Sequence, residues 1–388
     1  MVYKAISADS HIVEPPHLWE HWLPPELRKF APKLVKDHEG GDAWQYGEGL
    51  PPAPIGLVAV RRGRKYTDPD YKWTGMRIDQ VNQGAFYGEP RLAEQDEDGV
   101  DAEVIYAPVR AGMHFMAPGN DEIAVAGVRA YNDWLHKEFC AVDPKRLVGL
   151  ALIPNIGLEG SIAELRRTTQ MGMKGCTIMA WPSGGLNLSR DDDPFWAEAE
   201  TLGVPVSIHV RLSGKEGLKM AVTAGALASR DAAPVNPLVT MSTGAVQDAP
   251  KLMAEMVYSG MFDRFPTLQI VFGEVNVGWV PEVLESMDDH YTRDRIWTKT
   301  ELARMPSTYW RTNFAGTFII DKFGIRNRDL IGPETILWST DYPHHRCDWP
   351  ESQRLIAEHM QGVPRDEAAA MCAGNAVRIY KLADGASH

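Results

Sequence analysis

The chain is predicted to fold as an α/β protein, a distorted (β/α)8 barrel, on three observations. Short apolar runs alternate with amphipathic stretches, a rhythm that implies parallel βαβ units. About eight such units fit into roughly 300 residues, which argues for a closed barrel over an open sheet. Several of the apolar runs finish in residues able to bind a metal, at the strand ends where barrels of this kind carry their chemistry.

The elements follow in order. Residues 3–8 read as a short buried strand. Residues 14–100 do not read as a strand–helix unit. They hold Pro15-Pro16, Pro24-Pro25, Pro51-Pro52 and Pro54, many glycines, and Trp19, Trp22, Trp44 and Trp73. A segment of this kind inside an enzyme is expected to be a lid or binding insertion. Arg91 to Gly99 reads as a helix closed by glycine. The regular rhythm then begins. Val104–Ala107, Leu147–Leu152, Gly175–Ala180, Val204–His209, Gln269–Phe272, Thr312–Ile320 and Thr335–Ser339 are expected strands. Between and after them come helices at 121–139, 160–169, 194–201, 246–261, from 281 to 290, and at 352–360 and 366–380. The expectation is one domain over residues 1–388, with the Trp/Pro-rich insertion following the first strand.

With 388 residues, 44% of them hydrophobic, the chain is long enough for a large core. The net charge of −12 argues against binding nucleic acid or an anionic membrane. Four cysteines (Cys140, Cys176, Cys347, Cys372) include no Cys-x-x-Cys pair and suit a reducing compartment. No signal-peptide pattern and no apolar run of about 20 residues is present. The expected location is therefore the cytoplasm.

Asp9 and His11 stand two apart, so on a strand they point to one face. His209, Glu274 and Asp341 each follow an apolar run at the point where a strand should finish. Two imidazoles and three carboxylates form a hard-to-borderline ligand set suited to Zn2+, Mn2+ or Fe2+. His344 and His345 follow Asp341, and His344 is preferred as a further ligand or proton donor. Arg211, two residues past His209, is placed to clamp a substrate carboxylate, and Trp181 to wall the pocket. Arg110, His114 and Glu14 are weaker candidates for the same pocket. Lys174, in the run Gly172-Met173-Lys174-Gly175, is read as structural or exposed.

Several segments carry a resemblance: Asp9-Ser10-His11 with Glu14-Pro15-Pro16, Gly172-Met173-Lys174-Gly175, Ile208-His209, Phe272-Gly273-Glu274, Ser339-Thr340-Asp341-Tyr342-Pro343-His344 and Gly374-Asn375-Ala376. Together they make the chain resemble the amidohydrolase superfamily, in the branch around aminocarboxymuconate-semialdehyde decarboxylase. The resemblance covers most of the chain and implies the distorted barrel. It also implies that Asp9 and His11 are the first ligand pair, His209 the next ligand and Asp341 the last. Glu274 departs from the pattern, because many members place a His there. A carboxylate bridges metals well, but it handles protons near neutral pH only when its pKa is raised.

That departure divides the functional expectation. A dinuclear Fe/Mn monooxygenase is preferred, resembling the amidohydrolase-related oxygenases such as 2-aminoisobutyrate hydroxylase. It would act on a small carboxylate-bearing substrate and need O2 and an electron donor. In it Asp9, His11, His209, Glu274, Asp341 and His344 are ligands, and Asp341, Glu274 and His344 also act in catalysis. The alternative is a mononuclear hydrolase or non-oxidative decarboxylase, with Zn as its metal. A second alternative is a non-catalytic subunit supporting a related chain. The resemblance implies a homo-oligomer, or a hetero-oligomer with a related subunit.

Overall fold

A computed structural model describes residues 2–47, 51–116, 119–212 and 237–382. Its first strand, β1 (Ile6–His11), is buried along its whole length. The insertion then contributes a small antiparallel sheet of β2 (Lys33–Lys36), β3 (Asp42–Gln45) and β4 (Ala53–Pro54). Barrel strands resume with β5 (Ala102–Tyr106), β6 (Leu147–Gly149), β7 (Ala151–Leu152), β8 (Cys176–Thr177), β9 (Val206–His209), β10 (Ile270–Gly273), β11 (Phe314–Phe318) and β12 (Ile336–Trp338).

All barrel pairings are parallel. One ladder runs β1-β5-β6 and the other β7-β8-β9-β10-β11-β12. Two seams join them into a barrel. At the first, the expected strand at 147–152 is broken at Leu150, whose N–H donates to Ile105 O at 2.9 Å. At the second, β1 meets the end of β12: His11 N–H donates to Tyr342 O (2.6 Å) and Asp341 N–H to Asp9 O (3.0 Å).

The β1–β5 pairing slips between Ser7 and Ser10. A one-residue slip moves side chains to the other face. Ile6 and Ala8 accordingly join the inner core with Val104, Val148, Val271, Ala315 and Leu337, while Asp9 and His11 converge at the mouth.

Helix expectations hold in kind and shift at their ends. The helix expected at 91–99 is Gly88–Asp98, stopped by Gly99 at φ 70°. The helix at 121–139 is regular to Trp134 and ends in a wider turn, Leu135–Phe139. Several strands are shorter than expected. Gly175–Ala180 pairs only over Cys176–Thr177, and residues up to Asn313 belong to a helix, Pro306–Asn313, that displaces the start of the 312–320 strand.

The insertion is more ordered than its composition suggests. Besides its sheet it holds helices Leu18–Trp22 and Gly88–Asp98; residues 48–50 lie outside the described set. Backbone bonds from Val13 N–H to Ala85 O (2.8 Å) and from Val60 N–H to Pro343 O (2.7 Å) hold it against the barrel mouth. No described helix is long and apolar enough to cross a membrane. All four cysteines are free and buried.

Candidate metal centre

Three strand ends place ligand-type side chains by turning the backbone into the left-handed region. Val210, just after His209, has φ 61°, Glu274 has φ 54° and Asp341 has φ 60°. Such a conformation costs a non-glycine residue of order 1–3 kcal/mol. It occurs here directly after β9 and β10 and three residues past the end of β12, where the chain leaves the barrel.

The side chains converge. His11 Nε2 lies 3.4 Å from Asp9 Oδ1 and 3.3 Å from Asp341 Oδ1. His209 Nε2 lies 3.7 Å from Asp9 Oδ1 and 3.5 Å from Glu274 Oε2. His344 Nδ1 is 2.8 Å from Asp341 Oδ1, and its ring stacks on that of His11 at 4.3 Å. Ligand atoms of Asp9, His11 and His209 fall within 4.8 Å of one another, as do those of His11, Asp341 and His344. All six sequence-predicted ligands are thus brought together.

The donor set fits a divalent cation. Asp9 Oδ1, His11 Nε2, His209 Nε2 and both Asp341 carboxylate oxygens are buried with no partner in hydrogen-bond geometry. The contacts among them are ionic approaches only. Buried lone pairs left in this state are costly, and one cation shared among them satisfies all of them. The two triads share His11, whose Nε2 has one lone pair and so binds one ion. Asp9, His11, His209 and Asp341 are therefore placed so that they could share one ion.

Electrostatics agree. Burial works against charge on His11, yet the adjoining Asp341 and Asp9 raise its pKa to about 10. Its proton occupies the place of a cation. Burial lowers His209 to about 4, leaving a neutral imidazole ready to donate its lone pair. Burial also opposes charge on Asp341, but His344 and His11 hold it well below the ordinary carboxylate range. Glu274 is pushed up to about 8 by burial and by Asp341 and Asp9.

Several supporting residues escaped the sequence reading. Thr317 of β11 donates to Asp9 Oδ2 (3.2 Å) and accepts from the backbone N–H of Glu274 (2.8 Å), so one hydroxyl ties the Asp9 carboxylate to the backbone turn at Glu274. Gly273, opposite His209 in the β9–β10 register, has no room for a side chain: a Cβ there would meet Asp9 Oδ2 at 3.0 Å and His209 Cδ2 at 3.2 Å. Arg91 is wholly buried. It pairs with Glu103 at 2.5 Å and donates to His11 O (2.7 Å) and Gly84 O (2.8 Å). Its guanidinium lies over the Tyr342 ring at 4.4 Å. It thereby ties the insertion to both sides of the β1–β12 seam. Arg346 Nη1 stands 3.8 Å from Glu274 Oε1. The only sequence signal for Arg346 was its place two residues after His344.

The other candidates have partners outside the six converging side chains. Arg211 pairs with Asp248 at 3.3 Å. Trp181 is buried and packs edge-on against Trp196. His345 contacts Leu57 O through Nδ1 (2.7 Å). His114 bonds the carbonyls of Tyr46 and Phe30 within the insertion. Lys174 is exposed. Glu14 is buried, accepts from the Tyr46 hydroxyl at 2.9 Å, and is raised to about 7 by burial.

A family model described as Amidohydrolase matches residues 17–382. The chain is 27% identical over 301 residues to a gamma-resorcylate decarboxylase of Rhodococcus jostii, covering 72% of this chain and 86% of that one. Four further relatives that align with at least two thirds of the chain are also decarboxylases. Among solved structures, an amidohydrolase from Mycobacterium avium subsp. paratuberculosis superposes with a TM-score of 0.74 at 17% identity, over 100% of both chains. The 5-carboxyvanillate decarboxylase of Novosphingobium aromaticivorans, solved with manganese and 4-hydroxy-3-methoxy-5-nitrobenzoic acid, superposes with a TM-score of 0.66 at 17% identity, over 98% of this chain and 96% of that one. The chain belongs to the amidohydrolase family.

Proposed function

We propose that this member of the amidohydrolase family is a divalent-metal-dependent, non-oxidative decarboxylase of an aromatic carboxylic acid. The observation that carries the reading is the set of partnerless buried lone pairs on Asp9, His11, His209 and Asp341. The decarboxylase relatives direct it to this reaction class, and the manganese in a structural relative suggests the ion. The sequence alone put an oxygenase first; the relatives favour its alternative.

A divalent ion held by Asp9, His11, His209 and Asp341 would anchor the substrate's oxygens and withdraw electron density from them. The chain's own residues supply the rest. Glu274, whose carboxyl pKa is raised by burial to about 8, would offer a proton from Oε2, the oxygen facing His209. The ring carbon that carries the carboxylate takes this proton, its bond to the carboxylate carbon breaks, and CO2 leaves. Glu274 is left ionised beside Arg346, which stabilises the new charge. His344 holds Asp341 in place. The insertion, bonded across the mouth through Val60, keeps water from the site.

One observation favours a second reading. Glu274 and His344 lie beside the four proposed ligands, where with Asp341 they would suit a second ion. A dinuclear Fe/Mn oxygenase drawing on O2 and an external electron donor would use them, alone or with a related subunit.

The test is incubation of manganese-loaded protein with hydroxybenzoic and benzenedicarboxylic acids, with and without air. CO2 release independent of oxygen, with about one metal per chain, is the expected result. Two metals per chain, with O2 consumed under reducing conditions and no anaerobic CO2, would establish the second reading instead.

A further inference from the structure

We infer that Thr317 is a positioning residue for the proposed ligand Asp9: its hydroxyl holds one carboxylate oxygen so that the other, Oδ1, is presented to the ion. Such a role presupposes a divalent ion at the four proposed ligands and is the same for either reaction considered above.

Thr317 lies within β11 and is wholly buried. Its hydroxyl makes two bonds whose direction follows from their partners. The backbone N–H of Glu274 can only donate, so the hydroxyl accepts it, at 2.8 Å. The hydroxyl hydrogen is then left for Asp9 and goes to Oδ2, at 3.2 Å. The β10–β11 ladder runs as far as Phe272 and Gly316. Glu274, two residues on, bonds to this side chain and enters its left-handed turn at φ 54°. A backbone group at a strand end thus sets which way the hydroxyl points.

The two oxygens of Asp9 have different surroundings. Oδ2 has the Thr317 hydroxyl beside it and the Gly273 backbone close by, where a Cβ would come within 3.0 Å. Oδ1 has no hydrogen-bond partner and faces His11 Nε2 at 3.4 Å and His209 Nε2 at 3.7 Å. The bond from Thr317 is the only hydrogen bond to the Asp9 side chain among the described residues. Without it, Oδ2 is a buried acceptor with no donor and the carboxylate plane is free to turn. An ion would then have to order its own ligand, at a cost in affinity.

The test is the calorimetric affinity of metal-stripped protein for Mn2+, at a temperature where every metal-free variant is folded. The chains compared are the native one, Thr317→Val, Thr317→Ser and Thr317→Cys. Valine is close to threonine in shape and lacks both bonds, so Thr317→Val should bind Mn2+ about 10–100-fold more weakly. Thr317→Ser keeps the hydroxyl and should bind nearly as tightly as the native chain. Thr317→Cys has a weak donor and should fall between them. It carries the test if Thr317→Val does not fold, and native affinity in it would then overturn the assignment. A role confined to packing would lower the melting temperature of metal-free Thr317→Val and leave its Mn2+ affinity unchanged. That result, or equal losses in the serine and valine variants, overturns the assignment. No substrate enters these measurements, so any of those outcomes leaves the decarboxylase reading standing. If the native chain binds no Mn2+, both fall together.

Discussion

Asp9, His11 and Asp341, on the wall of the site built by β1 and the end of β12, are at most 1% exposed. His209, Glu274 and His344, on the wall built by β9, β10 and the loop after β12, have side chains 13%, 23% and 25% exposed. The closed wall is held by backbone bonds across the seam and by the buried Arg91–Glu103 pair. The open wall is held by one threonine hydroxyl and by contacts among its own charges. The difference separates two tasks. A metal needs ligands whose positions are over-determined, because its affinity depends on geometry. A substrate needs a side that admits it and groups able to move. On the proposed reading the closed wall supplies three of the four ligands, His209 on the open wall supplies the fourth, and Glu274 on the open wall serves proton transfer.

The largest effect that would break this division is on the closed wall. His11→Ala should lower metal content from about one equivalent to near zero and abolish turnover, measured by metal analysis after dialysis. A related readout is the proton. Because His11 is held protonated up to about pH 10, metal binding at pH 8 should release about one proton, visible as a buffer-dependent binding enthalpy. On the open wall, Glu274→Gln should keep the metal and the fold while lowering kcat by about 10²–10⁴-fold, the usual worth of a positioned acid. Loss of metal in Glu274→Gln would show that Glu274 is a ligand as well.

How far the sequence could reach follows the same line. The six candidate ligands were legible because they lie at or just past the ends of apolar runs, and a barrel brings its strand ends to one mouth. Strand limits were less so. Cys176–Thr177 is a fragment of its apolar run because burial, not pairing, keeps the rest apolar. Arg91 was unreadable: it lies in a charged helix whose composition looks solvated, and only tertiary packing takes that guanidinium to zero exposure. Thr317 and Gly273 act through distances between neighbouring strands, which no single run of residues encodes. Arg211 shows the reverse error. Spacing placed it on the face of His209, but Val210 turns left-handed directly after the strand, and the alternation stops there.

A middle-sized effect tests whether the insertion belongs to the metal wall. Arg91→Met leaves Glu103 buried without its counter-charge, which should cost about 3–5 kcal/mol in denaturant unfolding. Glu103→Gln added to Arg91→Met removes the stranded charge and should recover part of that loss. If Arg91 also positions the centre, the double variant should remain deficient in metal affinity after stability is recovered, because His11 O and Gly84 O have still lost their donor. Full recovery of both would reduce Arg91 to a packing role.

The smallest effect concerns Glu14, three residues past His11 on the closed side. Burial raises its folded pKa to about 7 from an ordinary 4.5. The folded state thus binds more protons than the unfolded chain between those values, and stability must fall as pH rises through that window. At pH 4.5 and below the carboxyl is protonated in both states and the contribution is intact; above pH 7 it is lost. The shift sets a ceiling of about 3 kcal/mol. Glu14→Gln removes the titrating group and keeps an acceptor for the Tyr46 hydroxyl. Unfolding free energies of the two proteins should be similar near pH 4.5 and should diverge toward pH 8, with the glutamine variant the more stable. An unchanged difference between pH 4.5 and 8 would mean that Glu14 ionises freely in the fold. The closed side would then be more open to water at that point than its burial indicates.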